Sequence, residues 1–351
     1  MSKIGIGVLS YAHGHVTSYS HEIANLDDAE ILRIWDDDIA RGEGAASGFG
    51  ATFTPHIEDV LNDPAIDIVF IASETNKHAD LAVAACAAGK NVALQKPMAL
   101  SMADCDRIID AVDRNGVFFS LAFQMRYDPA NIRMKELIDG GDLGKVGMLR
   151  RRHCIPVLFN DGFVNGPSSW HVDPVANMGM WMDDASHATD FFLWMLGEPV
   201  SVTAEIDNVL TNVAPDDTGM AIYRFANGEM GMLFNSSVVH VGENTTEIYG
   251  DRGVAIQNYG DGPALTIPPP EGAVALRYYD SQAPEKGWQD QGIEIPAGHG
   301  VRIQSVARNI LDAYKAGEPT VTARDGKLST GMILAAYRSA REGRRVDLPL
   351  E

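Results

Sequence analysis

Apolar residues arrive in short runs through the first third of the chain, at 4–9, 30–35, 66–72, 91–94 and 117–122, each bounded by glycine, proline or polar residues. Such runs between turn signals predict buried strands. Between them, apolar positions recur at helical spacing over 78–88 and 102–115. Strand and helix in alternation predict an α/β doubly wound parallel sheet of the Rossmann type. From Gly147 the pattern changes, and 148–154, 200–206, 220–225, 229–235 and 246–249 read as strands joined by turns such as Ala226-Asn227-Gly228 and Asp251-Arg252-Gly253. Strands in succession without intervening helices predict a mixed or antiparallel sheet in an α+β second domain. Phe191, Trp194 and Met195 mark a helix within this half, and two more helices are expected over 301–316 and 327–342, packing back on the first domain. The expected domains are 1–122 and 123–351.

Composition narrows the partners. At 351 residues, 45% hydrophobic and 22% charged, the chain suits a globular protein of two domains. Acidic residues outnumber basic ones 48 to 28, and a net charge of −20 repels phosphate backbones, so no nucleic-acid partner is expected. Cys86, Cys105 and Cys154 form neither a CxxC pair nor a zinc pattern. With no signal-peptide layout at the amino terminus and no apolar run of membrane-spanning length, a cytoplasmic protein without a membrane partner is expected.

Candidate chemistry begins where the first strand ends. A dinucleotide-binding turn has the form G-x-G-x-x-G. Here Ser10-Tyr11-Ala12-His13-Gly14-His15 puts Ser10, Ala12 and His15 at the three glycine positions. Ser10 and Ala12 are small enough for backbone to approach a pyrophosphate; Tyr11, His13 and His15 come with them as cofactor contacts. The triplet His13, His15 and His21 has no carboxylate pair or cysteine nearby, so no metal is expected. After the second strand, Asp36-Asp37-Asp38 offers acids for an adenosine ribose, and no arginine precedes Arg41, which favours NAD over NADP. Asp37 or Asp38 can equally cap a helix. After the third strand Ser73 and Thr75 can reach the nicotinamide ribose or a phosphate, or Asn76 or Thr75 can cap the next helix. Lys96 ends another strand before Pro97, at the edge of a parallel sheet where ligands bind.

In the second half, Asp183 and His187 lie four apart on one helix and share a face. Oxidation of an alcohol needs a base for the hydroxyl proton, and a histidine oriented by a carboxylate suits that task. Lys96 would stabilise alkoxide character on the reacting oxygen. The structural alternative makes His187 a core histidine bonded to a carbonyl and Asp183 a helix cap. His153, Asn160, Asp161, Trp170, His171 and Asp173 combine an aromatic platform with hydrogen-bonding groups, the combination that binds sugars.

The order of these motifs resembles the family of glucose–fructose oxidoreductase and inositol dehydrogenase, the Gfo/Idh/MocA family. The matching residues are the run 66–72, His78, Asn91-Val92, Lys96-Pro97 and Phe123-Gln124-Met125-Arg126-Tyr127-Asp128-Pro129. Further matches are Gly144-Lys145-Val146, Trp170, Asp183 with His187 and Asp190, and the closing Arg341-Glu342-Gly343-Arg344-Arg345-Val346. Gln95 stands where relatives carry glutamate, and Asn177-Met178-Gly179 where a triple glycine is common. The resemblance implies a large, mostly antiparallel open sheet that pairs subunits into a homo-dimer or homo-tetramer. It implies a dehydrogenase or reductase of sugars or polyols with His187 as acid/base, Lys96 at the hydroxyl, and Asp183 contacting substrate or histidine. His78, Gln95 and Lys96 are then expected beside the cofactor, and Arg126, His153, Trp170 and His171 at the substrate. Two other activities suit the same pattern. One is NAD-recycling glycoside or C–O cleavage by transient oxidation and elimination; the other is non-catalytic nucleotide or sugar sensing.

Overall fold

The computed structural model describes residues 3–240, 245–257, 271–295 and 299–350. Its first half alternates β1 (Ile4–Leu9), α1 (His15–Ala24), β2 (Ala29–Trp35), α2 (Ile39–Phe49), β3 (Thr52–Thr54), α3 (Ile57–Leu61), β4 (Ile68–Ile71), α4 (His78–Ala87), β5 (Asn91–Leu94), α5 (Met102–Asn115) and β6 (Phe119–Leu121). The strands form one parallel sheet in the order β3-β2-β1-β4-β5-β6. That order reverses beside β1, so the crevice outside the carboxyl ends of β1 and β4 is the natural ligand site. Gly5 is needed in β1 because a Cβ there would lie 1.8 Å from the Ala65 carbonyl oxygen.

Helices cover both faces, which is why the strands read as continuous apolar runs. On one face Ile6, Val8 and Ile34 pack with Tyr19 and Ile23 of α1. On the other, Val69, Ile71, Val92 and Leu94 pack with Ala82 and Ala85 of α4 and Ile108 of α5. Ser101 caps α5 by accepting the Asp104 N–H, and Gly116 ends it at φ +61°. β3 and α3, three and five residues long, are too short to show a period.

The second half comprises α6 (Pro129–Asp139), β7 (Val146–Cys154), α7 (Asp161–Val164), α8 (Met180–Leu196), β8 (Pro199–Asp207), β9 (Thr218–Phe225), β10 (Met230–Ser236), β11 (Thr245–Gly250), β12 (Gly253–Gln257), β13 (Leu276–Asp280), β14 (Gln289–Asp290), α9 (His299–Ala316), α10 (Ala323–Glu342) and β15 (Val346–Asp347). Nine strands form a second sheet, β14-β13-β12-β11-β7-β10-β9-β8-β15, antiparallel except between β7 and β10. Leu149, Ala221, Tyr223 and Leu233 face α8 and α10 and form the largest core with Trp181, Phe191 and Phe192. Alternation puts Met220, Ile222 and Met232 on the opposite face, where they are exposed. Within Arg150-Arg151-Arg152, only Arg151 is fully buried, its guanidinium 4.4 Å above the Phe191 ring. α9 lays Val306, Ile310 and Leu311 into the core around α1, and α10 docks on α5, α8 and β8. No helix among the described residues is long and apolar enough to cross a membrane.

Candidate active site

The turn after β1 carries the first wall of a cleft. Ser10 takes φ +74°, the left-handed conformation that a glycine would adopt freely. Its Oγ accepts the Ala12 N–H at 3.2 Å and an Arg41 N–H at 3.2 Å, which offsets part of the strain. Gly14 is the N-cap of α1 and has no side chain to cap it, the first helical N–H, of His15, is taken by His13 Nδ1 at 3.2 Å, and a Cβ at Gly14 would meet nothing within 4 Å. A helix N-terminus beside open space suits an anion. Tyr11 donates its N–H to Asp36 at 2.7 Å and pairs its hydroxyl with Ser20. Asp36 also accepts from the Asp38 N–H and twice from Arg41. All four acceptor sites of its carboxylate are therefore filled, and an incoming ribose hydroxyl must compete with Arg41. Asp38 caps α2, as one of the two candidates, while Asp37 pairs with Lys77 and Arg41.

The second wall comes from the end of β5. Lys96, 3% exposed and joined to Pro97 by a cis peptide bond, holds its Nζ 2.5 Å from Asp183 Oδ1. The other oxygen of Asp183 binds Nδ1 of His171. Burial alone would raise the Asp183 pKa, but the Lys96 ammonium and His171 hold the carboxyl well below the usual carboxylate range. The expectation that Asp183 orients His187 is thereby corrected: its two oxygens are taken by a lysine from the first sheet and a histidine from the preceding loop. Helical spacing gives a shared face, not a contact.

His187 is 4% exposed, and its Nδ1 has no hydrogen-bond partner among the described residues. The ring of His153 stacks on it at 5.6 Å, with Phe123 at 6.3 Å and His15 at 6.4 Å between centroids. Burial first, then the neighbouring Lys96, keeps the His187 pKa well below its ordinary value of 6.5. The core-histidine alternative predicted a carbonyl on this ring, and Nδ1 finds none. Lys96, His187, His13, His15, His153, His171 and Asp183 all line one cleft of about 390 Å³.

Several expected contacts lie elsewhere. Arg126 is buried in an ion pair with Asp190 at 2.7 Å and bonds the Thr320 carbonyl, so it anchors α8 instead of meeting substrate. Trp170 donates its indole N–H to the Ala12 carbonyl at 3.2 Å and stacks on His171 at 3.6 Å. It braces the cofactor turn against the histidine wall and does not line the cleft. His78 is fully buried, with Nδ1 2.8 Å from the Pro97 carbonyl oxygen and Nε2 3.3 Å from that of Ser73. Burial lowers its pKa to about 4, and it ties the Lys96–Pro97 corner to β4 without reaching a cofactor position. Thr75 donates to Asn177 at 2.7 Å, the Ser73 hydroxyl turns to the Glu74 carbonyl, and α4 starts without a side-chain cap from Asn76 or Thr75. Asp173 caps its own loop, and Asp161 is exposed and bonded to Asn165. Asn160 caps α7 and also borders the cleft, and His21 is exposed on the far side of α1 against Phe49.

Gln124 and Asp184 line the cleft and were not singled out by sequence. Gln124 follows β6 within the quoted Phe123–Pro129 stretch, so its position beyond a strand end was a usable signal. Asp184, one step round the helix from Asp183, is expected from spacing to face elsewhere, and its place in the cleft wall corrects that expectation. Its carboxyl accepts the Ser237 hydroxyl at 2.6 Å, and burial together with the charge of Asp183 pushes its pKa up to about 7.

The fold and cleft define a class: an oxidoreductase built on a dinucleotide-binding sheet, with a cleft walled by residues of both halves. Two family models agree. Residues 4–123 match the oxidoreductase family with NAD-binding Rossmann fold, and 132–256 match the GFO/IDH/MocA C-terminal domain. The chain belongs to the Gfo/Idh/MocA family. It is similar to a myo-inositol 2-dehydrogenase of Thermotoga maritima, 26% identical with 98% of this chain and 97% of the relative covered. Among solved structures it resembles GenD2 from gentamicin A biosynthesis, in complex with NAD, at 25% identity, TM-score 0.82 and coverage of 100% and 97%. Levoglucosan dehydrogenase in complex with NADH shares the fold at 23% identity, TM-score 0.85 and full coverage of both chains.

Proposed function

We propose that the protein is an NAD-dependent dehydrogenase of a secondary alcohol on an uncharged sugar or polyol. The observation that carries this reading is the convergence of Lys96, from the end of β5, and His187, from α8, on one cleft beside the β1 turn. The residues of the turn fit a dinucleotide: a helix N-terminus with open space at Gly14, and an acid just after β2. Arg41 is enclosed by Asp36, Asp37 and Glu74, so a 2′-phosphate would meet three carboxylates, which favours NAD over NADP. When bound, the nicotinamide accepts or returns the hydride.

The chain's own groups do the rest. An ammonium has three N–H donors. Lys96 spends donors on Asp183 Oδ1 and, at 3.4 Å, on the Asp183 carbonyl, and the remaining one stabilises the substrate oxygen as negative charge develops. His187, held neutral, takes the hydroxyl proton. Among the described residues Lys96 is the one lysine or arginine in the cleft wall, and Asp183 neutralises it, which disfavours a phosphate or carboxylate. Imidazoles, Gln124 and Asn160 are suited to hydroxyl groups.

Reduced-nicotinamide absorbance with a panel of cyclic polyols and sugars tests the reading. Lys96→Ala and His187→Ala should each lower kcat/KM by roughly 10²–10⁴-fold while remaining folded. Full turnover in both would refute the assignment. Asp184 favours a second reading, because a carboxyl protonated near neutrality could serve as the acid of an oxidation–elimination sequence. Substrate loss without net reduction of NAD would mark it. Retention of the Lys96–Asp183–His171 network speaks against a purely sensing role. A homo-oligomer formed through the outer face of the second sheet completes the proposal.

A further inference from the structure

Gln95, 1% exposed, precedes Lys96 at the end of β5. Its carboxamide oxygen accepts two hydrogen bonds, from the Tyr19 hydroxyl at 3.1 Å and from the Lys96 backbone N–H at 3.1 Å. A backbone N–H can only donate, so the atom facing it is the oxygen and the orientation of the amide is fixed. The amide nitrogen therefore faces the β1 turn, 3.0 Å from His13 Nδ1 and 2.9 Å from His15 Nδ1. An NH₂ group can only donate, and here it donates to His15 Nδ1. The same nitrogen lies 3.0 Å from Nδ1 and 3.3 Å from Nε2 of His13, over the face of that ring and out of its plane. The single lone pair of His13 Nδ1 is taken by the His15 backbone N–H at 3.2 Å.

We propose that Gln95 is a positioning residue that locks His15 as an uncharged imidazole, with Nδ1 bare and the proton on Nε2, while the His15 N–H holds His13 in the same state. A neutral imidazole has one N–H, and where Nδ1 accepts, Nε2 must carry it. The cofactor-side wall then offers hydrogen-bond donors without adding a cation beside Lys96. The catalytic consequence rests on the dehydrogenase reading. An imidazolium at His15, whose ring lies 6.4 Å from that of His187, would oppose the proton that His187 takes up. A glutamate at this position would reverse the lock. It could still accept from Tyr19 and Lys96, but its other oxygen would face the bare Nδ1 of His15, acceptor against acceptor. That ring would then have to place a proton on Nδ1.

The test is nitrogen–proton correlation NMR of histidine-labelled protein, with His13→Asn and His15→Asn variants to assign the signals. The wild type should show both rings as Nε2–H tautomers. Gln95→Glu should put a proton on Nδ1 of His15 and raise its titration midpoint by about one unit or more. The acidic limb of kcat/KM should move up with it. Gln95→Ala should shift the His15 signals, because its Nδ1 loses the amide donor, and leave His13 held by the His15 N–H. Nδ1-protonated rings in the wild type, or identical spectra in Gln95→Glu, would overturn the proposal. Tautomers are read without turnover, so an inactive protein with the expected spectra counts against the dehydrogenase reading alone. An active one with the wrong tautomers counts against Gln95 alone.

Discussion

His187 and Asp184 lie three residues apart on α8, yet the cleft moves their proton affinities in opposite directions. Burial and Lys96 depress the imidazole; burial and Asp183 raise the carboxyl. A base with a lowered pKa stays neutral into mild acid, so the acidic limb of kcat/KM for alcohol oxidation should lie below pH 6.5, and a full pH profile checks it. Asp184 makes a prediction about stability. Its folded pKa is raised, so between roughly pH 4 and 7 the folded chain holds a proton that the unfolded chain has released, and stability falls as pH climbs through that window. Asp184→Asn keeps an acceptor for Ser237 and removes the penalty. The variant should match the wild type near pH 4 and exceed it at pH 8 by on the order of 3–4 kcal/mol, read from urea unfolding at both values. An equal difference at the two pH values would contradict the assignment.

At the scale of elements, the site depends on how α10 meets the first sheet. Gly326 lies in the first turns of α10, where a Cβ would come 2.2 Å from Leu121 of β6 and 2.7 Å from the sulfur of Met98. Met98 is two residues beyond Lys96, so the close approach of this helix fixes the back of the lysine corner. Gly326→Val should destabilise the protein by about 1–3 kcal/mol through overpacking and lower kcat by displacing Lys96, with thermal melting and kinetics as the measurements. A variant with unchanged melting and kinetics would show that the corner is set from elsewhere. The strand ends of β1, β4 and β5 were legible because buried parallel strands write themselves as short apolar runs. The loops around them were not. Trp170, Arg126 and His78 have the chemistry of ligand contacts, and only their tertiary partners (a carbonyl, a carboxylate and two carbonyls) show them to be braces.

For the whole molecule, the second sheet has one face under α8 and α10, and on the other Met220, Ile222 and Met232 are 58%, 43% and 40% exposed, with Ile222 directly opposite Met232 across the strand pair. An exposed apolar stripe on a sheet face favours burial against another copy. Light scattering should report a dimer or tetramer, and Met220→Glu with Ile222→Lys should yield monomer; a monomeric wild type would defeat the oligomer proposal.

The sequence by itself determined the two sheet types, the strand end that carries Lys96, the helix that carries His187 and the family, because periodicity and local turn chemistry are properties of neighbouring residues. Tertiary structure alone decided which partners those groups have. Asp183 belongs to Lys96 and His171, Asp36 to Arg41, and Gln95 to His15, 80 positions earlier. Hydrogen bonds and ion pairs are satisfied in space, and chain spacing does not specify a contact until the two sheets have been brought together.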